Sequence, residues 1–338
     1  MTLRANFLAA GLTLKLCATA LAQTPAPSAA PKAPVVASTS LTPPPDAPPI
    51  HPVAPGPYKV AIEANPGLMT HTIYRPENLA GFTGAKKLPI IAWGNGACSN
   101  AGLLFANFLT QISSHGYLVI ASGPRDAPLP AFASANGTDG PKPAPNSGIA
   151  SAMTKDGDLI KAIDWAIAEN ARPGSPYFGH LDPTKVAVMG QSCGGLQATA
   201  VAGDPRIKTV VIWNSGVFNT PTTAPGGAPT ASLSAATKDS LKAFHAPVAY
   251  FLGGPSDAAY ANGKDDFSRI TTVPAFMGSI HSGHGGTYGH PGGGWFGEVG
   301  VAWLDWQLRG DRNAAKWFTG ADCTLCRNPV WEVERKSL

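Results

Sequence analysis

The stretch Gly190-Gln191-Ser192-Cys193-Gly194-Gly195 constrains this chain more than any other. It follows the apolar run Val186-Ala187-Val188-Met189 and precedes the small-residue run Leu196-Gln197-Ala198-Thr199-Ala200. That succession predicts a strand, a sharp turn and a helix, with Ser192 at the apex. Glycine two residues either side of the serine suits a strained turn, because the neighbouring backbone comes so close that a Cβ would collide. A serine presented in this way is a candidate nucleophile. In a chain with 38 glycines the spacing alone carries little weight. The strand and helix signals on either side supply the rest.

Export explains the first part of the chain. Residues 1–6 carry one arginine, 7–22 are mostly apolar, and Ala20-Leu21-Ala22 before Gln23 has the small residues of a signal-peptidase site. A secretory signal peptide is therefore expected over 1–22, cleaved near Ala22, giving a secreted or periplasmic protein. Lys15 interrupts the apolar region, and Leu16 before Cys17 is too large for lipoprotein cleavage, so no lipid anchor is expected. No other stretch approaches the roughly 20 apolar residues that span a bilayer, and no integral membrane span is expected. Residues 23–57 are rich in Pro, Ala, Ser and Thr, including Pro43-Pro44-Pro45 and Pro48-Pro49. Such a segment predicts a disordered or polyproline-like linker. Residues 58–338 then form a single domain.

Losing the signal would remove Arg4 and Lys15, two of the charges behind the formal +4. What remains has neither a nucleic-acid footprint nor a basic membrane patch. Cys17 leaves as well, and the even set Cys98, Cys193, Cys323 and Cys326 predicts two disulfides in an exported protein. Cys323-Thr324-Leu325-Cys326 has no second CxxC or nearby histidine to complete a zinc site, and it lies outside the strand-to-helix context of a redox pair. A structural disulfide is expected there.

Residues 58–308 alternate apolar strand-like runs with amphipathic helical ones, a pattern of α/β class with a mostly parallel central sheet and helices on both faces. Residues 58–63 and 70–74 are half apolar and should form a leading antiparallel pair. Buried strands follow at 88–93, 117–121, 186–189, 207–213, 248–252 and 273–280, the last of these closing the sheet. Helices are expected at 101–114, at 152–170, through Phe244 and near 299–308. In the second, Leu159, Ile160, Ile163, Ala166 and Ile167 share one face and Trp165 lies on the other. The polar segments 124–148 and 219–229 are read as long loops. In open α/β sheets ligands bind beyond the carboxyl ends of the strands. Ser192, Asp257 and His284 all follow such ends, in that order.

With the serine turn, an acid after the following strands and a late histidine, the chain resembles the α/β-hydrolase superfamily over nearly all of 58–308. It is most similar to secreted, lidless serine hydrolases of the polyester-hydrolase, chlorophyllase and dienelactone-hydrolase kind. The resemblance implies an α/β-hydrolase fold with no large lid domain. It also implies hydrolysis of carboxylic esters through Ser192, His284 and Asp257 with an acyl-enzyme intermediate. Each part has a chemical reason: serine needs a base to take its proton, and the base needs a carboxylate to fix its tautomer. His281 and His290 compete for the role of base, but the glycines around His284 let its loop reach back to the serine. Asp265 and Asp266 compete with Asp257, although Lys264-Asp265-Asp266 suits a solvated helix face. One departure is that Asn95-Gly96 replaces the usual His-Gly after the third strand.

The same resemblance implies an oxyanion hole made by the backbone N–H groups of Ala97 and Cys193. Two amides about 3 Å from one oxygen bring these stretches together. That puts Cys98 and Cys193 within disulfide reach, roughly 4.4–6.8 Å between Cα atoms. Cys193 itself is one residue off the apex and is not the expected nucleophile. Asn95, Trp213, Asn214 and Phe218 are the expected substrate-pocket residues, with Trp295 and Phe296 as further candidates. Gly292-Gly293-Gly294 lacks the preceding strand and the lysine of a phosphate loop, and no metal or cofactor is expected. The expected partner is a small-molecule or polymeric ester substrate, and the protein is expected to be a monomer. A peptidase or a non-catalytic binding protein on the same fold are the alternatives.

Overall fold

The computed structural model describes residues 43–130, 153–219 and 234–338. The expected signal peptide, the first part of the linker and most of both long loops lie outside the described residues. Among those described, β1 (Val60–Glu63) and β2 (His71–Pro76) pair antiparallel, with Val60 opposite Pro76. Then β3 (Leu88–Gly94), β4 (Leu118–Ser122), β5 (Leu181–Gln191), β6 (Ile207–Trp213), β7 (Val248–Leu252) and β8 (Ala275–Ser279) run parallel to one another. A final strand, β9 (Glu332–Lys336), pairs antiparallel with β8, and the sheet order is β1-β2-β4-β3-β5-β6-β7-β8-β9.

The parallel strands read as unbroken apolar runs because both of their faces are covered. Alternate residues go to opposite layers. Ile90, Ala92, Val188 and Ile212 pack with α2 (Asp156–Ala171) and α3 (Cys193–Val201), while Ile91, Trp93, Met189 and Trp213 pack with α1 (Ala106–Ser114) and α5 (Gly294–Arg309); α4 (Tyr260–Arg269) comes between β7 and β8 in the chain. Strand order reverses at β3, whose neighbours are β4 and β5. The crevice beyond the carboxyl ends of β3 and β5 is thus where a ligand site is expected, and Ser192 lies there.

Three expectations need correction. The sheet does not end with 273–280, since β9 adds to its edge with the sequence Glu-Val-Glu-Arg-Lys. Charged side chains suit an edge strand, and they erase the apolar signal by which strands are found. Trp165 does not face solvent: it is 8% exposed and packs edge-on against Tyr177, with ring centroids 5.1 Å apart. Gly67, in the turn Pro66–Leu68, lies beside its indole nitrogen, so that turn and Tyr177 bury the face that periodicity assigned to water.

The third correction concerns residues 46–57, expected within a disordered or polyproline-like linker that packs on nothing. They run over the domain as an extended strap instead. Val53 N donates to Pro291 O (3.1 Å), Gln111 Nε2 to Ala54 O (2.9 Å) and Gly56 N to Ser114 Oγ (2.8 Å), while the His51 ring stacks on Trp295. An extended, proline-rich strand has no internal hydrogen bonds, so its backbone groups are open to partners on α1 and on the turn before α5.

Candidate active site

Ser192 sits between β5 and α3 at φ 52° and ψ −115°, a backbone region that residues with a Cβ rarely occupy. Surrounding contacts hold it there. Ser192 N donates to Trp213 O (3.0 Å), and Ser192 O accepts from Gly195 N (2.9 Å) and Ser215 Oγ (2.6 Å). A Cβ on Gly194 would lie 1.9 Å from Gly94 O, and one on Gly190 would lie 2.2 Å from the Gly194 carbonyl. The two glycines are therefore what allows β3, β5 and α3 to meet at this turn.

His284 and Asp257 arrive from the loops after β8 and β7. Gly283 N donates to Gly253 O (2.8 Å), which brings the two loops side by side. His284 Nε2 lies 2.9 Å from Ser192 Oγ, and His284 Nδ1 lies 2.6 Å from Asp257 Oδ1. Asp257 is 2% exposed. Burial pushes its carboxyl pKa up, but the hydrogen bond from His284, with those from the N–H groups of Ala259 and Gly253, outweighs burial and holds the pKa below the ordinary value. An ionised carboxylate only accepts, so the proton sits on Nδ1. That leaves Nε2 as the ring nitrogen facing the Ser192 hydroxyl.

The competing residues lie elsewhere. His281 Nδ1 pairs with Asp46 Oδ2 at 2.8 Å, out on the strap. His290 precedes the turn Pro291–Gly293, with its ring against Gly294. Asp265 bonds Arg269 and Lys238. Asp266 is buried, where it accepts from Val217 N and Lys238 Nζ.

On the other side of Ser192, the chain leaving β3 turns at Ala97 (φ 55°) and Cys98 (φ 48°). Cys98 and Cys193 stand at disulfide distance, their Cα atoms 5.2 Å apart. Thr154 N donates to Cys98 O (2.9 Å), and Gln197 Nε2 bridges Cys98 Sγ and Thr154 O. Cys323 and Cys326 are also at disulfide distance, with Cα atoms 4.9 Å apart around the turn Thr324–Arg327.

Burial corrects most of the expected pocket. Asn95, Trp213 and Asn214 are fully buried. The Asn95 amide donates to Ser99 O, Ala101 O and Ser122 O while its oxygen accepts from Trp93 Nε1, making it a strut beneath the β3 loop. Trp213 stacks on Phe251 in the core, Phe296 is buried beside it, and Trp295 is covered by His51. Asn214 lies behind Asp257. Phe218 is half-buried against the core. Sequence reasoning missed Gln191, whose Nε2 donates to His284 O (3.1 Å), as well as Ser215 and Tyr288. Ser215 had a signal, being a polar residue just past a strand end next to the serine turn. Gln191 had the same kind of signal, a polar residue at the end of β5 directly before Ser192, and Tyr288 had none.

Among the described residues, no group of three or more His, Cys, Asp or Glu side chains is placed to hold a metal. Among the same residues no helix is long and apolar enough to cross a membrane. No family model matches the chain, and no curated protein matches it.

Proposed function

We propose that this chain is a secreted serine hydrolase of the α/β-hydrolase type that cleaves carboxylic esters. The observation that carries this is the hydrogen-bonded line from Ser192 Oγ through His284 to Asp257 Oδ1, with spans of 2.9 and 2.6 Å. Its position supports the same reading, beyond the carboxyl ends of parallel strands and in the chain order Ser, Asp, His.

In the proposed reaction Ser192 Oγ attacks the ester carbonyl carbon as His284 Nε2 takes the hydroxyl proton. The carbonyl π electrons move to oxygen, where the backbone N–H groups of Ala97 and Cys193 donate to the negative charge. Collapse of this intermediate breaks the bond to the alcohol oxygen, which leaves with the proton from His284. Water, deprotonated by His284, then attacks the acyl-enzyme, releasing the carboxylic acid and returning the proton to Ser192. Asp257 stays ionised throughout and stabilises the imidazolium.

The test is a panel of nitrophenyl esters and peptide anilides given to the mature chain and to Ser192→Ala. Ester hydrolysis by the wild type that disappears in the variant is expected. Preferential cleavage of the anilides would make the protein a peptidase, and equal ester turnover by both proteins would overturn the assignment.

A further inference from the structure

Asp257 has four hydrogen-bond donors. Its Oδ1 accepts from His284 Nδ1 and Ala259 N (2.9 Å), and its Oδ2 accepts from Gly253 N (3.0 Å) and Asn214 Nδ2 (2.9 Å). Three of these come from the histidine or from the acid's own loop. The fourth comes from a different strand, since Asn214 follows β6. The same Nδ2 group donates to Gly283 O at 3.0 Å, on the residue just before His284. Both amide protons are thus used, one on the acid and one on the backbone of the base. A carbonyl and an ionised carboxylate can only accept, so the orientation of the amide is fixed by chemistry.

The amide oxygen is fixed as well. It accepts a short hydrogen bond from the hydroxyl of Tyr288. Tyr288 is 1% exposed, and its ring meets Phe105 and Phe296 edge-on or tilted, with centroids 5.1 and 5.2 Å away. A phenylalanine would fill that cage equally well, so packing alone does not ask for a hydroxyl. Burial raises the phenol's pKa well above its ordinary value, as does the charge of Asp257, which keeps the group protonated and donating.

Local geometry is spent on this arrangement. Asn214 sits at φ 41°, in the left-handed region that asparagine tolerates better than most residues, with its backbone held by Asn214 N donating to Phe251 O at 2.8 Å. A Cβ on Gly253 would come within 2.8 Å of Asn214 Nδ2 and 1.9 Å of Gly283 O. The loop after β7 therefore has to present a glycine where the amide crosses it.

We propose that Asn214 and Tyr288 are positioning residues for the acid and base: Tyr288 holds the Asn214 amide, and that amide locks the Asp257 carboxylate and the backbone entering His284 into one register. The proposal rests on the serine-hydrolase reading for its kinetic consequence but not for its structural one. Neither side chain is exposed enough to touch substrate, so the effect belongs in kcat and not in KM.

The experiment compares the wild type with Asn214→Leu and Tyr288→Phe, using steady-state hydrolysis of a nitrophenyl ester and the far-downfield proton NMR signal of the His284 Nδ1–H bonded to Asp257. Asn214→Leu should lower kcat roughly 10- to 100-fold, the weight of a hydrogen bond to a charged group, with KM nearly unchanged and the downfield signal shifted or lost to exchange. Tyr288→Phe should lower kcat by about 10-fold at most, the weight of one neutral hydrogen bond, and move the same signal less. If Asn214→Leu does not fold, Tyr288→Phe decides. An unchanged kcat with an unshifted signal in a folded variant overturns the proposal. A wild type that hydrolyses no ester, yet loses the signal on Asn214→Leu, would sink the hydrolase reading while upholding the positioning pair.

Discussion

The two sides of Ser192 are held by different means. Towards His284, Asp257 and Asn214 every link is a hydrogen bond, running from the partly buried Ser192 and His284 to the buried Asp257 and Asn214. Towards β3, the two strained residues Ala97 and Cys98 are clamped to α3 by a cysteine pair 95 residues apart in sequence. The proposed chemistry accounts for the contrast. On the first side protons must change hands, so the groups are joined by bonds that tolerate either protonation state. On the second side two amide donors have only to stand still while charge develops, and a covalent tie does that without taking part. The terminal pair Cys323 and Cys326, three residues apart, serves as an internal control. Loop-closure entropy gives a cross-link about 4.7 kcal/mol across 95 residues and only about 1.6 kcal/mol across three.

The largest effect should come from the hydrogen-bonded side. His284→Ala is expected to lower ester turnover by on the order of 10⁴-fold, since nucleophile and base act as a unit. His281→Ala and His290→Ala should keep most of the activity, because neither ring is bonded to Ser192. Steady-state kinetics on the three variants checks this, and the reverse ranking would move the base to another histidine.

Next comes the covalent side. Cys98→Ser should lower kcat by up to about 10²-fold with KM little changed, because a misaligned donor costs most where charge appears, and less than outright loss of the donor. The same variant should unfold at lower denaturant concentration. Peptide mapping of the non-reduced protein must find 98 joined to 193; either cysteine joined to 323 or 326 would break the comparison.

A test by pH concerns the support beneath the chain leaving β6. Asp266 supports the chain after β6 by accepting from Val217 N at 2.7 Å, and burial pushes its carboxyl pKa up to about 6 against the pull of Lys238. A folded-state pKa raised above the ordinary 3.8 gives stability that is complete below 3.8 and is lost as pH rises through about 6. That shift is worth roughly 3 kcal/mol. In urea titrations the difference in stability between wild type and Asp266→Asn should therefore move against the wild type as pH rises from about 4 to 7. A difference that stays flat across the window would contradict the raised carboxyl.

The smallest effect is expected at the control pair. Cys326→Ser should cost no more than about 1.6 kcal/mol of stability and leave kcat unchanged. A loss of turnover comparable to that of Cys98→Ser would mean that the tail reaches the site.

Much of this arrangement was legible in the sequence because parallel strands buried on both faces leave unbroken apolar runs. Once those runs are marked, the residues just past their carboxyl ends single out Ser192, Asp257 and His284. What stayed hidden was the direction in which polar side chains point. Asn95 and Asn214 follow strand ends and looked like pocket residues, yet both amides turn inward, one to three carbonyls and the other to Asp257 and Gly283. Composition also misled at the edges. The charged β9 gave no strand signal, and the proline-rich residues 46–57 looked unable to pack although their backbone finds partners on the domain.

The central claim, that Ser192 is the nucleophile, is tested most directly by quenching the protein during hydrolysis of a nitrophenyl ester and measuring intact and peptide masses. The account predicts an added acyl group on the peptide containing Ser192, and neither adduct nor turnover in Ser192→Ala. Steady hydrolysis by the alanine variant at the wild-type rate, or an acyl group carried on Cys193 or another residue, would contradict it.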